Sequence, residues 1–252
     1  MCNATTENGD NSMSLLIDNL AAFNRKERFH LLAFALDWQP KDMPLGRQFI
    51  DAIGAKIGCK ISDSSSIFMA MDYHLDWLYA ALYLTEHRLS PSSVRNPVDK
   101  RNRCQIAGTQ EDIDLLVAFA CDNTAHGTHL VLVEAKGDTS WSTAQLASKA
   151  KRLKAILPDS HSQSGALQLT PHFILASPSP PQNAGILGAI ASLPEWARNG
   201  AMDDRHWIHL PMHGQGTTKD GFAKVVRCDR DGEPNGHNDE ATHWKIASDG
   251  TN

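Results

Sequence analysis

Asp114 lies near the start of an apolar run, Leu115–Ala120, and Glu134-Ala135-Lys136 closes another, Leu130–Val133. Strand residues alternate faces, so Asp112 and Asp114 share one side of the first strand, and Glu134 and Lys136 share one side of the second. If the two strands pair, their polar groups converge. Asp114 and Glu134 then supply hard oxygen ligands for Mg2+ or Mn2+, with the backbone carbonyl of Ala135 as a third donor. A cation so held polarises a phosphoryl oxygen and lowers the pKa of a bound water. Lys136 is placed to orient that water or to stabilise developing negative charge. Read without a metal, the same residues make a strand-end salt bridge, an interaction of small energetic weight.

The elements around these residues have their own signals. Both apolar runs read as buried central strands. A helical segment follows from Ser142 to Lys154 and carries Gln145 in its first turns. Upstream, Asp72–Leu84 has Leu75, Leu78, Tyr79 and Leu82 at helical spacing, which places Asp72 and Asp76 one turn apart on one face.

The acid-then-Glu-x-Lys pattern resembles the PD-(D/E)XK nuclease superfamily over about residues 72–177. The resemblance implies an α/β fold with a restriction endonuclease-like core, a mixed central sheet flanked by helices. It assigns the metal-binding acids to Asp114 and Glu134 and the catalytic lysine to Lys136. It also points to Gln145 on the following helix and to Asp76 on the preceding one as further participants. No proline precedes Asp114, and the long interval to Glu134 requires an extended hairpin loop at residues 122–127. The implied activity is Mg2+- or Mn2+-dependent hydrolysis of phosphodiester bonds, in DNA first. The other reading is an inactive module of the same fold that binds nucleic acid or a protein partner.

The net charge of -5 argues against an indiscriminate polyanion binder, so charge placement matters more than the sum. Arg95, Lys100, Arg101 and Arg103 cluster before the Asp114 strand; Lys149, Lys151, Arg152 and Lys154 cluster after Gln145. Each cluster either holds phosphates through salt-sensitive contacts or forms a solvated face. Trp141 either caps the core or stacks on a base. His126 and His129 read as exposed loop histidines. His206, His209 and His213 read as ordinary structural residues, and Gly214–Lys219 lacks nucleotide-loop spacing.

A chain of 252 residues with 41% hydrophobic content can bury a real core. Five scattered cysteines without a CxxC pair suggest neither a zinc ribbon nor a disulfide framework, hence a reduced, cytoplasmic protein. No apolar run is long enough for a bilayer, and there is no signal-like start, so no membrane partner is expected. Cutting both strands of a duplex would favour a homodimer. The expected organisation is a disordered stretch over 1–12, a helical extension over 13–61, the core over 62–177 and a C-terminal extension over 178–252. Helices are expected at Ser14–Phe23 and Arg25–Leu36 and from near Pro44, with Asn24 and Glu27 as a capping box. A strand at His172–Ser177 ends the core. Beyond the Pro178–Pro181 break come a helix from Ile186 to Leu193 and strands near Trp207–Leu210 and Ala223–Arg227, then a polar, turn-rich end from Asp229.

Overall fold

The computed structural model describes residues 7–40, 43–62, 67–88, 96–98, 100–106, 111–120, 127–137, 141–158, 169–198, 207–212, 223–233 and 242–248. The apolar runs become strands β1 (Ile67–His74), β2 (Asp112–Ala120), β3 (Thr128–Ala135) and β4 (Leu169–Ser177), joined at the edge by β5 (Trp207–His209). They form one sheet in the order β1-β2-β3-β4-β5. β2 runs antiparallel to both β1 and β3, and β4 and β5 add to β3 in parallel. The fold is therefore α/β with a mixed sheet of five strands flanked by helices.

Both faces of this sheet are covered, which is why its strands read as continuous apolar runs. On one face Leu116, Ala118, Leu130, Leu132, Phe173 and Leu175 pack under α1 (Glu7–Phe23), α4 (Leu75–His87), α5 (Thr143–Ile156) and α6 (Ala184–Ala191). On the other, Val117, Phe119, Val131, Val133 and Ile174 pack under α2 (Glu27–Ala35) and α3 (Arg47–Ile57). Each fully buried Leu, Val or Phe contributes about 1.5–3 kcal/mol, so the odd and even positions of β2 and β3 together lock the register.

Several expectations need correction. Asp72 is not helical: the run from Ile67 pairs with β2 as far as His74↔Asp112, and α4 starts only at Leu75, whose N–H bonds the Glu111 carbonyl. Helical spacing among Leu75, Leu78 and Leu82 was real, but strand pairing claimed the residues before it. Asp72 and Asp76 therefore do not share a helix face. α1 begins at Glu7, well before Ser14, because docking of Leu16 and Leu20 lets a polar leading segment propagate the helix. Asn24 accepts the N–H of Lys26 rather than capping α2 in a box with Glu27.

The core also runs past Ser177. β5 pairs with β4 through Leu175↔Trp207 and Ala176↔Ile208, so part of the C-terminal extension belongs to the central sheet. Beyond the four-residue α7 (Glu195–Arg198), β6 (Ala223–Cys228) and β7 (His243–Ser248) form a separate two-stranded hairpin. The polar reading of the C-terminal end missed β7, in which a paired partner strand compensates for weak local signal. His129 is buried in β3, not exposed on a loop: it stacks on Phe119 and its Nδ1 lies 2.9 Å from Nε2 of His172. Cys59 is disulfide-bonded while Cys104 and Cys228 are free thiols, so the expectation of a fully reduced chain fails at Cys59. The loop expected at residues 122–127 lies outside the described residues except for Gly127, as do Arg95, His126, His206, His213 and Gly214–Lys219. Among the described residues no helix is long and apolar enough to cross a membrane.

Candidate active site

β2 and β3 are antiparallel, so the start of one and the end of the other lie at the same end of the sheet. Asp114 and Glu134 meet there. The β2–β3 ladder stops at Leu115↔Val133, and beyond it the Asp114 side chain replaces the missing backbone acceptor: its Oδ2 accepts the N–H of Ala135 at 2.6 Å. On its other side β3 continues to follow β4, with the Lys136 N–H donating to the Ala176 carbonyl at 2.8 Å. Glu134 and Lys136 are thus held between two strands, and Glu134 follows Leu130 and Leu132 onto the α5 face.

On that face α5 delivers an unexpected partner. Lys149 is 6% exposed and its ammonium donates to Oε2 of Glu134, itself 4% exposed. Lys136 Nζ lies 3.7 Å from the other oxygen, Oε1. Burial pushes the Glu134 carboxyl above the usual carboxylate range; Lys149 opposes this, nearby Asp114 adds to it, and Lys136 opposes it. Two carboxylates and two ammonium groups leave the site formally neutral.

Lys149 is the residue that sequence reasoning misplaced. It was grouped with Lys151, Arg152 and Lys154 as a surface cluster, yet it occupies the buried stripe of α5 with Leu146, Ala150, Leu153 and Ile156. The available signal was its spacing, three residues after Leu146 and four before Leu153, because a lysine in an apolar stripe implies a buried partner. Arg152 is also turned inward: its Nε lies 3.3 Å from Glu111 Oε2, and Ser148 donates to Glu111 Oε1. Only Lys151 and Lys154 of that cluster are exposed, together with Lys100, Arg101 and Arg103 of the other.

The second-rank candidates are placed as follows. Gln145 sits one turn before Lys149 on α5 and is exposed, its backbone N–H capped by the Ser142 hydroxyl at 3.3 Å. Asp76 lies in the first turn of α4, where Oδ1 accepts the Trp77 N–H at 3.0 Å and lies 3.8 Å from His74 Nδ1. Asp72 falls between Met71↔Leu115 and Tyr73↔Ile113, level with Asp114, with a left-handed φ of 49°. Its carboxylate turns to Arg28 of α2, 3.6 Å away, while Tyr73 donates to the Leu20 carbonyl of α1. A non-glycine residue in that conformation is strained, and here it redirects the strand's side chains beside the site.

Could these residues hold a divalent cation? Among the described residues no group of three or more His, Cys, Asp or Glu side chains gathers for a metal. The donors present are two carboxylates and the Ala135 carbonyl, all hard oxygens. That set suits Mg2+ or Mn2+, which take one or two carboxylates and complete their shell with water and substrate phosphate. The fit requires that Glu134 be shared between the cation and its lysines. Searches for a matching protein family, a matching curated protein and a matching solved structure each return none for this chain.

Proposed function

We propose that this chain is a Mg2+- or Mn2+-dependent nuclease of the PD-(D/E)XK type, with a restriction endonuclease-like core, that hydrolyses phosphodiester bonds in DNA. The observation that carries the reading is the convergence of Asp114, Glu134 and Lys136 at one end of adjacent strands, with Glu134 buried. Asp114, Glu134 and the Ala135 carbonyl would hold the cation, which supplies Lewis acidity toward the phosphoryl oxygen and a more acidic bound water. Asp114 is fixed by the Ala135 N–H, so its remaining oxygen is presented in one direction. Lys136, less buried than Lys149, orients the attacking water and offsets charge on the phosphate. Lys149 opposes the protonation that burial favours at Glu134 and holds its carboxylate in place. Exposed Lys100, Arg101, Arg103, Lys151 and Lys154 supply salt-sensitive phosphate contacts. Cutting both strands of a duplex would call for two copies of the site, hence a homodimer.

The test is cleavage of linear, branched and single-stranded DNA and of RNA with Mg2+ or Mn2+. The wild-type chain should cut at least one, and Lys136→Ala should lose about 100-fold or more of that rate while retaining its circular dichroism. One observation favours a second reading: Lys149 already neutralises Glu134 without any metal. In that case the chain is a non-catalytic module of the same fold, and no substrate is cut with either metal.

A further inference from the structure

Beside Lys136 a cavity of about 290 Å3 opens between the end of β3 and the turn that follows β4, lined by Lys136, Trp141, Pro178, Pro180, Pro181 and Gln182. We infer that it is a subsite for one unpaired nucleobase of the substrate strand, next to the phosphate that is cut; the inference rests on the nuclease reading above. Size comes first. Ligand pockets start at about 300 Å3, so this one is sized for a single base or nucleoside. Its chemistry also suits a base. Trp141 and the proline rings supply flat apolar walls, on which any base can stack. The Gln182 side-chain amide at the exposed rim supplies a donor and an acceptor for a base edge.

The walls are set before any ligand arrives. Buried Ser177 donates its hydroxyl to the Ser179 carbonyl at 2.6 Å and accepts from the Trp207 indole at 2.9 Å, tying the proline turn to β5. Asn183 at the far rim caps α6 through Gly185, at 2.8 Å, which fixes the direction in which the chain leaves the turn. A base that is stacked in a duplex reaches such a pocket only by leaving the stack, so the pocket selects strands whose nucleotide is already unpaired. The preferred substrates are then single-stranded, bulged or branched nucleic acid rather than continuous duplex.

Binding is measured by fluorescence anisotropy in EDTA, so that no turnover is needed, with oligonucleotides carrying 2-aminopurine either unpaired or within a full duplex. The unpaired probe should bind wild type more tightly than the duplex, with its emission quenched by Trp141. Trp141→Ala, and Gln182→Trp, which fills the cavity from its exposed rim without touching the core, should each weaken the unpaired probe by about tenfold or more. Each should leave the duplex within about twofold, as expected when the backbone contacts are untouched. Trp141→Phe, which keeps an aromatic wall, should retain the preference, and Gln182→Trp decides the matter if the alanine variant fails to fold. Equal affinity of wild type for both probes, or indifference of the unpaired probe to Gln182→Trp and, where it folds, to Trp141→Ala, overturns the inference. These results are independent of catalysis: cleavage lost in Lys136→Ala with no effect of Gln182→Trp leaves the nuclease and removes the subsite, whereas the base preference without cleavage leaves the subsite on a binding module.

Discussion

Glu134 is a carboxylate pulled in opposite directions. Burial favours its protonated form and two lysines favour its charge, and of these Lys149 is the nearer and the more buried. A buried ion pair adds little net stability over an apolar pair of the same shape, but removing one partner leaves an uncompensated charge. Lys149→Met should therefore destabilise the fold by about 3–5 kcal/mol, and adding Glu134→Gln should recover most of that loss. Urea denaturation of the two variants checks this; a single-variant cost near zero would mean that Lys149 does not hold Glu134. Lys136 is the contrasting case, farther from the carboxylate and less buried, free to turn toward a phosphate.

At the scale of elements, the site exists because β2 and β3 part company after Leu115↔Val133 while β3 stays with β4. That splay leaves the Ala135 N–H for Asp114 and points Glu134 at α5. The far end of the same strands carries a different polar feature. His129 of β3 is buried on Phe119 and bonded to His172 of β4, and burial lowers its pKa below the ordinary imidazole value. In the window between the two values the unfolded chain binds more protons than the folded one, so stability falls as pH drops. The expected outcome is full stability above about pH 6.5 and a progressive loss below it. His129→Phe should flatten that part of the profile, as read from denaturant midpoints between pH 7.5 and 5 (a window spanning about 6.5). A profile unchanged by the substitution would place the loss elsewhere.

For the whole molecule, helices on both faces make the sheet a rigid base: α1, α4, α5 and α6 cover one side, α2 and α3 the other. The chain carries a net charge of -5, whereas the two carboxylates and two lysines of the site balance one another. A ligand that binds only the folded state raises its stability by mass action. Mn2+ at 100 times its dissociation constant should therefore add about 2.7 kcal/mol, seen as a higher melting temperature. Asp114→Asn keeps an acceptor for Ala135 but removes a charge, and should abolish the Mn2+ shift while costing little stability without metal. A shift that survives in Asp114→Asn would place the cation outside this site.

The sequence by itself determined strands β2 to β6, though not β1 or β7, and the placing of chemistry at strand ends. Leu115–Ala120 and Leu130–Val133 are too apolar to lie anywhere but between two layers, and alternation then fixes which face Glu134 and Lys136 share. Tertiary structure decided everything that depends on partners distant in the chain. It turned Lys149 and Arg152 inward, because α5 lands on Glu134 and Glu111. It gave Asp72 to β1 and sent its side chain to Arg28, because β2 competed for residues whose local spacing looked helical. Periodicity reports which residues are buried, and only the packed neighbours decide against what.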